Sequence, residues 1–410
     1  MPGALTRLAL VLLGVSLGLA RPVPVQAHTA SESFSRWEYS GQTLTMRFTI
    51  RAREASRIAA GTSGEPLESR LAGYLAGRIR ADSPRSACSR LAQPQPVASQ
   101  TGYLQVEMTW NCEQPPQYVE VTAFFDLAAE HMHFASMQSQ QRLEQRLLTA
   151  ESPRWVFASK DPAHGGSMAG RSVFGAFLNL GFRHVLGGPD HVVFLLGLLL
   201  LCRRFSDLAW AVSGFTLGHS ITLSLAALGL AQPNVAGIEA AIGLTIALVA
   251  VERTANLQNA AMPLAWGSAA AILLLIPLSL VREASIGAGG LLGLALFTFC
   301  YLLLSKDLGD KGGFRVLITS LFGLIHGFGF AGAFQAASLG QGSLLPPLAG
   351  FNLGIELGQL ALVAVLFAMR RAFRNRQSMA AGTADWVTAV VCGLGVFWFM
   401  QRMFAGSGLA

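Results

Sequence analysis

The sequence predicts a two-part protein. Its N-terminal part is all-β-like, a β-rich exported domain with one helix. A polytopic α-helical membrane bundle of about eight spans follows. Three observations carry this. Of 410 residues, 52% are hydrophobic and only 13% are charged, against roughly 25% charged in a soluble chain. The apolar excess falls after Gly170, whereas residues 28–160 alternate apolar and polar side chains. Basic residues collect in every second gap between the apolar runs, the asymmetry that orients membrane proteins.

Residues 1–27 read as a secretory signal peptide. Arg7 precedes the apolar run LALVLLGVSLGLA, and Val25 and Ala27 suit cleavage before His28. The run of about 13 residues is short of the roughly 20 that a span needs.

Residues 28–160 are the expected periplasmic domain. In TLTMRFTIR, Leu44, Met46, Phe48 and Ile50 alternate with polar partners. Leu104, Val106, Met108 and Trp110 do the same in YLQVEMTW, and Val119, Val121, Ala123 and Phe125 continue that period. Period two with one apolar face predicts half-buried antiparallel strands. EPLESRLAGYLAGRIR places Leu67, Leu71 and Leu75 on one face of a helix. Cys88 and Cys112 lie in this part, where export would permit a disulfide, while Cys202, Cys300 and Cys392 lie in or beside apolar runs. Residues 161–173 are the expected linker, within a stretch that carries Pro153, Pro162 and Gly165-Gly166.

The membrane part, 174–404, contains apolar runs at about 174–201, 207–230, 234–252, 261–281, 286–304, 316–338, 345–369 and 385–403. With the N-terminal domain outside, the inner loops hold Arg203-Arg204, then Arg253, then Lys306, Lys311 and Arg315, then Arg370, Arg371, Arg374 and Arg376. The outer loops carry little beyond Arg282. No basic stripe interleaved with aromatics is present, so the positive net charge of +7 reflects topology and not nucleic-acid binding. Splitting the first run into two spans would invert every later loop. The first pass is therefore read as one span interrupted at Gly187-Gly188-Pro189, a break tolerated at membrane depth only where it lines a cavity or is buried in protein.

Polar residues in these spans are expensive, and each requires a role. His219 in FTLGHSITL, His326 in HGFGFAG and Glu356 in FNLGIELGQL fall near the middle of their runs. Asp190 and His191 flank the middle of the first pass, and His184 is seven residues before His191. Imidazoles and carboxylates without a thiolate suit a borderline divalent ion: nickel, cobalt or zinc. The expected ligands at the bilayer midplane are His184, Asp190, His191, His219, His326 and Glu356. Asn352 and Gln359 share a helix face with Glu356 and, with Glu239 nearer the outer end of its helix, are expected to orient the ligands from behind. Singly, such a histidine is an ordinary packing residue and the glycines of HGFGFAG serve close helix packing; the convergence of the set argues for a site.

The elements His184 to Asp190-His191, FTLGHSITL, IEAAIGLTI, HGFGFAG and FNLGIELGQL, in this order over most of 174–365, resemble the HupE/UreJ family of bacterial membrane proteins. The exported front, opening HTASESFSRW, is similar to the branch with a large periplasmic extension. The resemblance implies nickel or cobalt permeation, with His184, Asp190 and His191 as the metal-handling motif. It also implies a multi-pass protein of the bacterial inner membrane with its N-terminal domain periplasmic.

The leading expectation is a divalent-metal permease rather than an enzyme; no GxxxxGK[ST] motif is present to bind ATP. Its partners would be the lipid bilayer and the ion, with any periplasmic partner or metallochaperone unspecified. An intramembrane metal-dependent hydrolase is the first alternative, since a bound divalent ion can activate water. Ser220 beside His219 is a weaker nucleophile pair, because adjacent helical residues point about 100° apart. A membrane-anchored receptor or assembly component is the third. Finally, a free amine at His28 with His131 and His133 of EHMHF would make the exported domain a metal-capturing antechamber.

Overall fold

A computed structural model of the chain describes residues 31–58, 65–83, 87–99, 102–128, 131–139, 142–157, 173–231, 234–282, 284–309, 312–330, 345–373 and 377–404. The expected signal peptide, His28 and the linker lie outside the described residues.

The period-two segments form strands, as expected. The N-terminal domain contains β1 (Glu32–Ser40), β2 (Thr43–Arg51), β3 (Ile79–Asp82), β4 (Ser89–Arg90), β5 (Gln95–Val97), β6 (Tyr103–Asn111), β7 (Tyr118–Val121), β8 (Met132–Ser139), β9 (Arg142–Leu148) and β10 (Arg154–Val156). The larger sheet runs β4-β6-β2-β1-β8-β9, with β5 also on β6, and the smaller runs β10-β7-β3. Most pairs are antiparallel, but β1 and β8 lie parallel. The inward residues Leu44, Met46, Phe48 and Ile50 of β2 meet Leu104, Val106, Met108 and Trp110 of β6, under helix α2 (Leu67–Ala76), which contributes Leu71 and Leu75. A one-turn helix, α1 (Ala52–Ala55), follows β2. Cys88 and Cys112 are joined in a disulfide.

Two expectations are corrected here. The alternation assigned to Val119, Val121, Ala123 and Phe125 stops at Val121, because Phe124 takes a left-handed backbone (φ 68°) and is itself fully buried. Its ring stacks on Phe48, so burial of a large aromatic outweighs the backbone cost of the turn. The Pro153 region, read as the start of the linker, instead carries β10, whose Trp155 is buried.

The membrane part begins with α3 (Val173–Gly187) and α4 (Pro189–Leu201). It continues with α5 (Phe205–Ala227), α6 (Val235–Gln258), α7 (Ala261–Leu273), α8 (Ile276–Val281) and α9 (Ala288–Leu308). The last helices are α10 (Gly312–Gly329), α11 (Leu345–Phe373) and α12 (Gln377–Met403). Among the described residues, seven helical segments are long and apolar enough to span a membrane, with α7 and α8 forming one; the α3–α4 pair, bent by 68° at its break, makes eight. The count matches the sequence expectation. The boundaries do not. Arg253, Lys306, Arg315, Arg370 and Arg371, read as loop residues, lie inside helices. Three of them have partners there: Arg315 holds Glu252, Arg253 holds Asp385, and Arg370 donates to the Leu199 and Cys202 carbonyls. Pairing removes the cost that would otherwise end the helix at the first charge.

Glycines bring the helices together in pairs. A Cβ on Gly218 of α5 would run into the Ser320 carbonyl of α10, and one on Gly323 of α10 into the Phe215 carbonyl of α5. The same backbone approach joins α3 to α11 at Gly181 and Gly354, and α6 to α12 at Gly243 and Gly395. Small residues at such crossings replace the hydrophobic drive that lipid cannot supply. Trp210, Leu217, Trp266, Leu274 and Leu292 point outward as an apolar surface suited to acyl chains.

The β-rich domain sits on one end of this bundle. Phe34 and Met132 share an apolar cluster with Phe177, Leu180, Phe330 and Phe351. Phe134 lies 5.3 Å from the Phe177 ring, and the Arg51 guanidinium sits 5.7 Å from the centre of Phe330.

Candidate metal site beneath the β-rich domain

Gly187-Gly188-Pro189 makes the bend that builds the site. Proline is tolerated at the first turn of α4, where its missing N–H costs nothing, and Gly188 is extended (φ −91°, ψ 104°). A Cβ there would sit 2.9 Å from both the His184 carbonyl and His191 Nδ1, so only glycine lets the two halves close. The bend, and not the seven-residue spacing on an unbroken helix, brings the His184 and His191 rings to 4.9 Å.

His191 of α4 then lies 5.8 Å from His326 of α10. Phe215 packs 4.8 Å from His326 and 6.2 Å from His219. Phe330 and Phe351 cover His184 at 4.6 and 5.6 Å. Four histidines from α3, α4, α5 and α10 thus share an aromatic-walled compartment.

Hydrogen bonds decide which imidazole nitrogens are bare. Thr245 of α6 donates its one proton to the Ile242 carbonyl at 2.7 Å, so it accepts from His326 Nε2–H at 3.1 Å. His326 Nδ1 is left as a buried lone pair with no protein partner. Asn352 fixes its amide by donating to the Leu348 carbonyl at 2.9 Å and accepts from His219 Nδ1–H at 3.4 Å. His219 Nε2 is thereby bare, and both nitrogens of His191 lack partners. Orienting an imidazole through its other nitrogen is how metal sites present a lone pair.

The carboxylates are engaged elsewhere. Both Asp190 oxygens accept from Arg402 of α12, at 2.8 and 3.0 Å. Glu356 accepts from Ser213 at 2.5 Å, and Gln359 from Thr216 at 3.0 Å. With His219 and Asn352, these pairs make a polar ladder between α5 and α11 that leads away from the β-rich domain. Glu239 contributes its backbone carbonyl to Arg402 at 3.1 Å. Among the described residues, no three His, Cys, Asp or Glu side chains stand close enough together to hold an ion as they are. The six expected ligands are therefore brought to one region, three imidazoles with free lone pairs among them, without forming one closed shell.

His326 is three residues from the end of α10 and Asn352 seven from the start of α11, about 5 and 10 Å at 1.5 Å per residue, on the side of the described bundle that meets the β-rich domain.

Ser220 donates to the Thr216 carbonyl at 2.7 Å and is not aligned with His219, which removes the serine-nucleophile pair. Residues missed in the sequence include Arg402, Thr245, Ser213 and the buried Glu252–Tyr301–Arg315 group. A charge inside an apolar run was the available signal for Arg402 and Glu252.

His131 and His133 serve a different purpose. Trp37 Nε1–H donates to Ser35 at 2.7 Å, Ser35 pairs with His133 Nε2 at 2.8 Å, and His133 Nδ1 with Ser33 at 2.7 Å. Ser33 pairs with His131 Nε2 at 2.7 Å, His131 Nδ1 with Ser31 at 2.7 Å, and Ser31 donates to Glu54 at 2.8 Å. A chain that starts at an obligate donor and ends on a carboxylate has one direction, so both imidazoles are neutral with every nitrogen used. They have no lone pair for metal, and the antechamber expectation fails at these two residues.

Burial pushes His131 down from 6.5 to about 3 and His133 well below 6.5. The unfolded chain takes up these protons first, so stability falls as the pH drops from 6.5 toward 3. Glu32, raised by burial from 4.5 to about 7, works oppositely: its contribution is lost as the pH rises through 7. Below pH 4.5 the Glu32 contribution is fully present, and the histidine trend runs in the same direction as that of Asp126, whose carboxyl is lowered, against burial, by bonds from Tyr74 and Arg78. Unfolding of the full-length protein, followed by Trp37 and Trp110 fluorescence, is expected to move to lower temperature as the pH falls there. The slope should be shallower in His133→Asn; an equal slope contradicts the neutral-histidine chain.

A family model described as HupE / UreJ protein matches residues 163–275 and 295–402, more than half of the chain. The chain belongs to the HupE/UreJ family. This family is associated with nickel and cobalt handling, and membership agrees with the apolar helical bundle. The HupE/UreJ match begins after the β-rich domain and covers all the site residues named above, with Arg402 as the last residue matched. No curated protein matches the chain.

Proposed function

We propose that this HupE/UreJ protein is a permease for a divalent transition-metal ion, nickel or cobalt, in the bacterial inner membrane. In this reading residues 1–27 direct export and the β-rich domain is periplasmic, over the entrance. His184, His191, His219 and His326 receive the ion, with Asp190 supplying the anionic ligand. Glu356 takes it onward along the α5–α11 ladder. Asn352, Gln359 and Glu239 hold the ligands and their neighbours in place.

The observation that carries the reading is the set of bare nitrogens on His191, His219 and His326. A buried unpaired polar atom costs roughly 1–3 kcal/mol, and imidazole lone pairs in a thiolate-free site suit borderline divalent ions. The polar ladder continuing past the site favours passage over a one-mouthed catalytic cavity.

Purified protein in liposomes is expected to admit Co²⁺ down its gradient, read by an entrapped metal-sensitive dye. Stoichiometric zinc that survives purification, with no Co²⁺ flux, would instead support the metal-dependent hydrolase. Neither flux nor bound metal would support a receptor or assembly role.

A further inference from the structure

Asp190 is one of the two acids in the expected ligand set, beside Glu356, and it is not available. Arg402 closes on both of its oxygens at 2.8 and 3.0 Å while donating its other terminal nitrogen to the Glu239 carbonyl at 3.1 Å. The guanidinium also rests 5.5 Å from the Trp398 ring. Asp190 and Arg402 are each about one-fifth exposed, so the pair is shielded but not sealed. Asp190 is in the first turn of α4, directly before His191, whose two nitrogens have no partner. A permanent positive charge therefore sits one residue from a set of vacant donor lone pairs.

This arrangement has a physical consequence. A guanidinium stays charged at every physiological pH, and here one terminal nitrogen, Nη2, donates to both Asp190 oxygens while Nη1 is held by the Glu239 carbonyl. A dication approaching His191 and His326 meets that charge and finds the nearby carboxylate neutralised. To gain Asp190 as a ligand it must displace Arg402. The tether to Glu239 and the contact with Trp398 keep the displaced guanidinium at hand to recapture the carboxylate. Three imidazoles without an anion would hold a dication weakly, and three with Asp190 would hold it long. An ion that must leave quickly needs a term that opposes the second state.

We propose that Arg402 is a built-in competitor of the transported dication for Asp190, a positioning residue that sets affinity low enough for release. The inference rests on the metal-site reading above. It also accounts for the missing closed shell: the ligand that would complete it is held by an arginine from a helix 212 residues away in sequence.

The test is Co²⁺ binding by the full-length protein in detergent, read from the cobalt d–d absorption, for the unaltered chain, Arg402→Gln, Asp190→Asn and the double variant. Arg402→Gln is expected to tighten binding by about tenfold or more, the scale of one partly shielded charge at close range. Asp190→Asn should weaken binding, and Arg402→Gln should gain less over Asp190→Asn than over the unaltered chain, because the double variant relieves the repulsion but frees no carboxylate. In liposomes Arg402→Gln should lower the half-saturating Co²⁺ concentration and slow the maximal rate together, a split that a packing defect does not produce. If Arg402→Gln is not monodisperse, Arg402→Lys decides: it keeps the charge but not the second terminal nitrogen that ties the group to the Glu239 carbonyl, and affinity should rise by a smaller factor. Unchanged or weaker binding in the folded Arg402 variant, with Asp190→Asn still weakening it, overturns the competition alone. Absence of Co²⁺ binding by all four proteins overturns the competition and the metal-site reading together.

Discussion

Cells producing His191→Ala are expected to accumulate no more cobalt than cells without the protein, a loss of at least about 100-fold in initial uptake. His191 is the hub of the compartment. Its ring touches both His184 and His326, at 4.9 and 5.8 Å, and neither of its nitrogens has another occupation. Alanine removes the imidazole with its one lone pair and its N–H, and breaks the link between the bent first pass and the imidazole of α10. The fold should survive, because no hydrogen bond is lost and the bend rests on Gly188 and Pro189. Asp190→Asn should behave similarly, whereas Asn352→Ala, which only frees the His219 ring, should cost about 10–100-fold. The measurement is accumulated metal normalised to inserted protein. Normal uptake by His191→Ala would remove these histidines from the path.

Glu252→Ala should be the most destabilising single change in the bundle. Glu252 is fully buried on α6 and accepts from Arg315 of α10 through both oxygens at 2.8 Å, and from the Tyr301 hydroxyl of α9. Arg315 also donates to the Gly309 carbonyl at 2.9 Å, so the group ties three helices at the end opposite the β-rich domain. Removing the carboxylate strands a buried guanidinium and a buried hydroxyl, for which roughly 3–5 kcal/mol is typical. The effect is read as a lower midpoint of thermal unfolding in detergent. Glu252→Ala with Arg315→Met should recover part of the loss, because no unpaired guanidinium is then left buried. A double variant no better than the single would mean that the group acts through packing and not charge.

The sequence was legible where chemistry repeats locally. Leu44, Met46, Phe48 and Ile50 are buried because the strand period itself puts them on one side. The apolar runs became spans because a bilayer of about 30 Å requires that length, and Gly187-Gly188-Pro189 announced its own bend. Phe124 was illegible because its burial depends on Phe48, which is distant in the chain. His131 and His133 looked like ligands because alternation places them on one face. The serines of β1 that consume their nitrogens are about a hundred residues earlier and reach them only through the parallel β1–β8 pairing.

By itself the sequence determined the two-part architecture, the number of passes, the family and the residue types available to a cation. Periodicity, length and charge asymmetry are properties of neighbours along the chain, and they act before any tertiary contact forms. The tertiary structure decided which nitrogens are bare and which groups hold the carboxylates. Those outcomes depend on partners supplied across the bundle: Thr245 to His326, Asn352 to His219, and Arg402 to Asp190. A hydrogen bond or ion pair forms at about 3 Å, and no pattern within one helix specifies what another helix will bring to that distance.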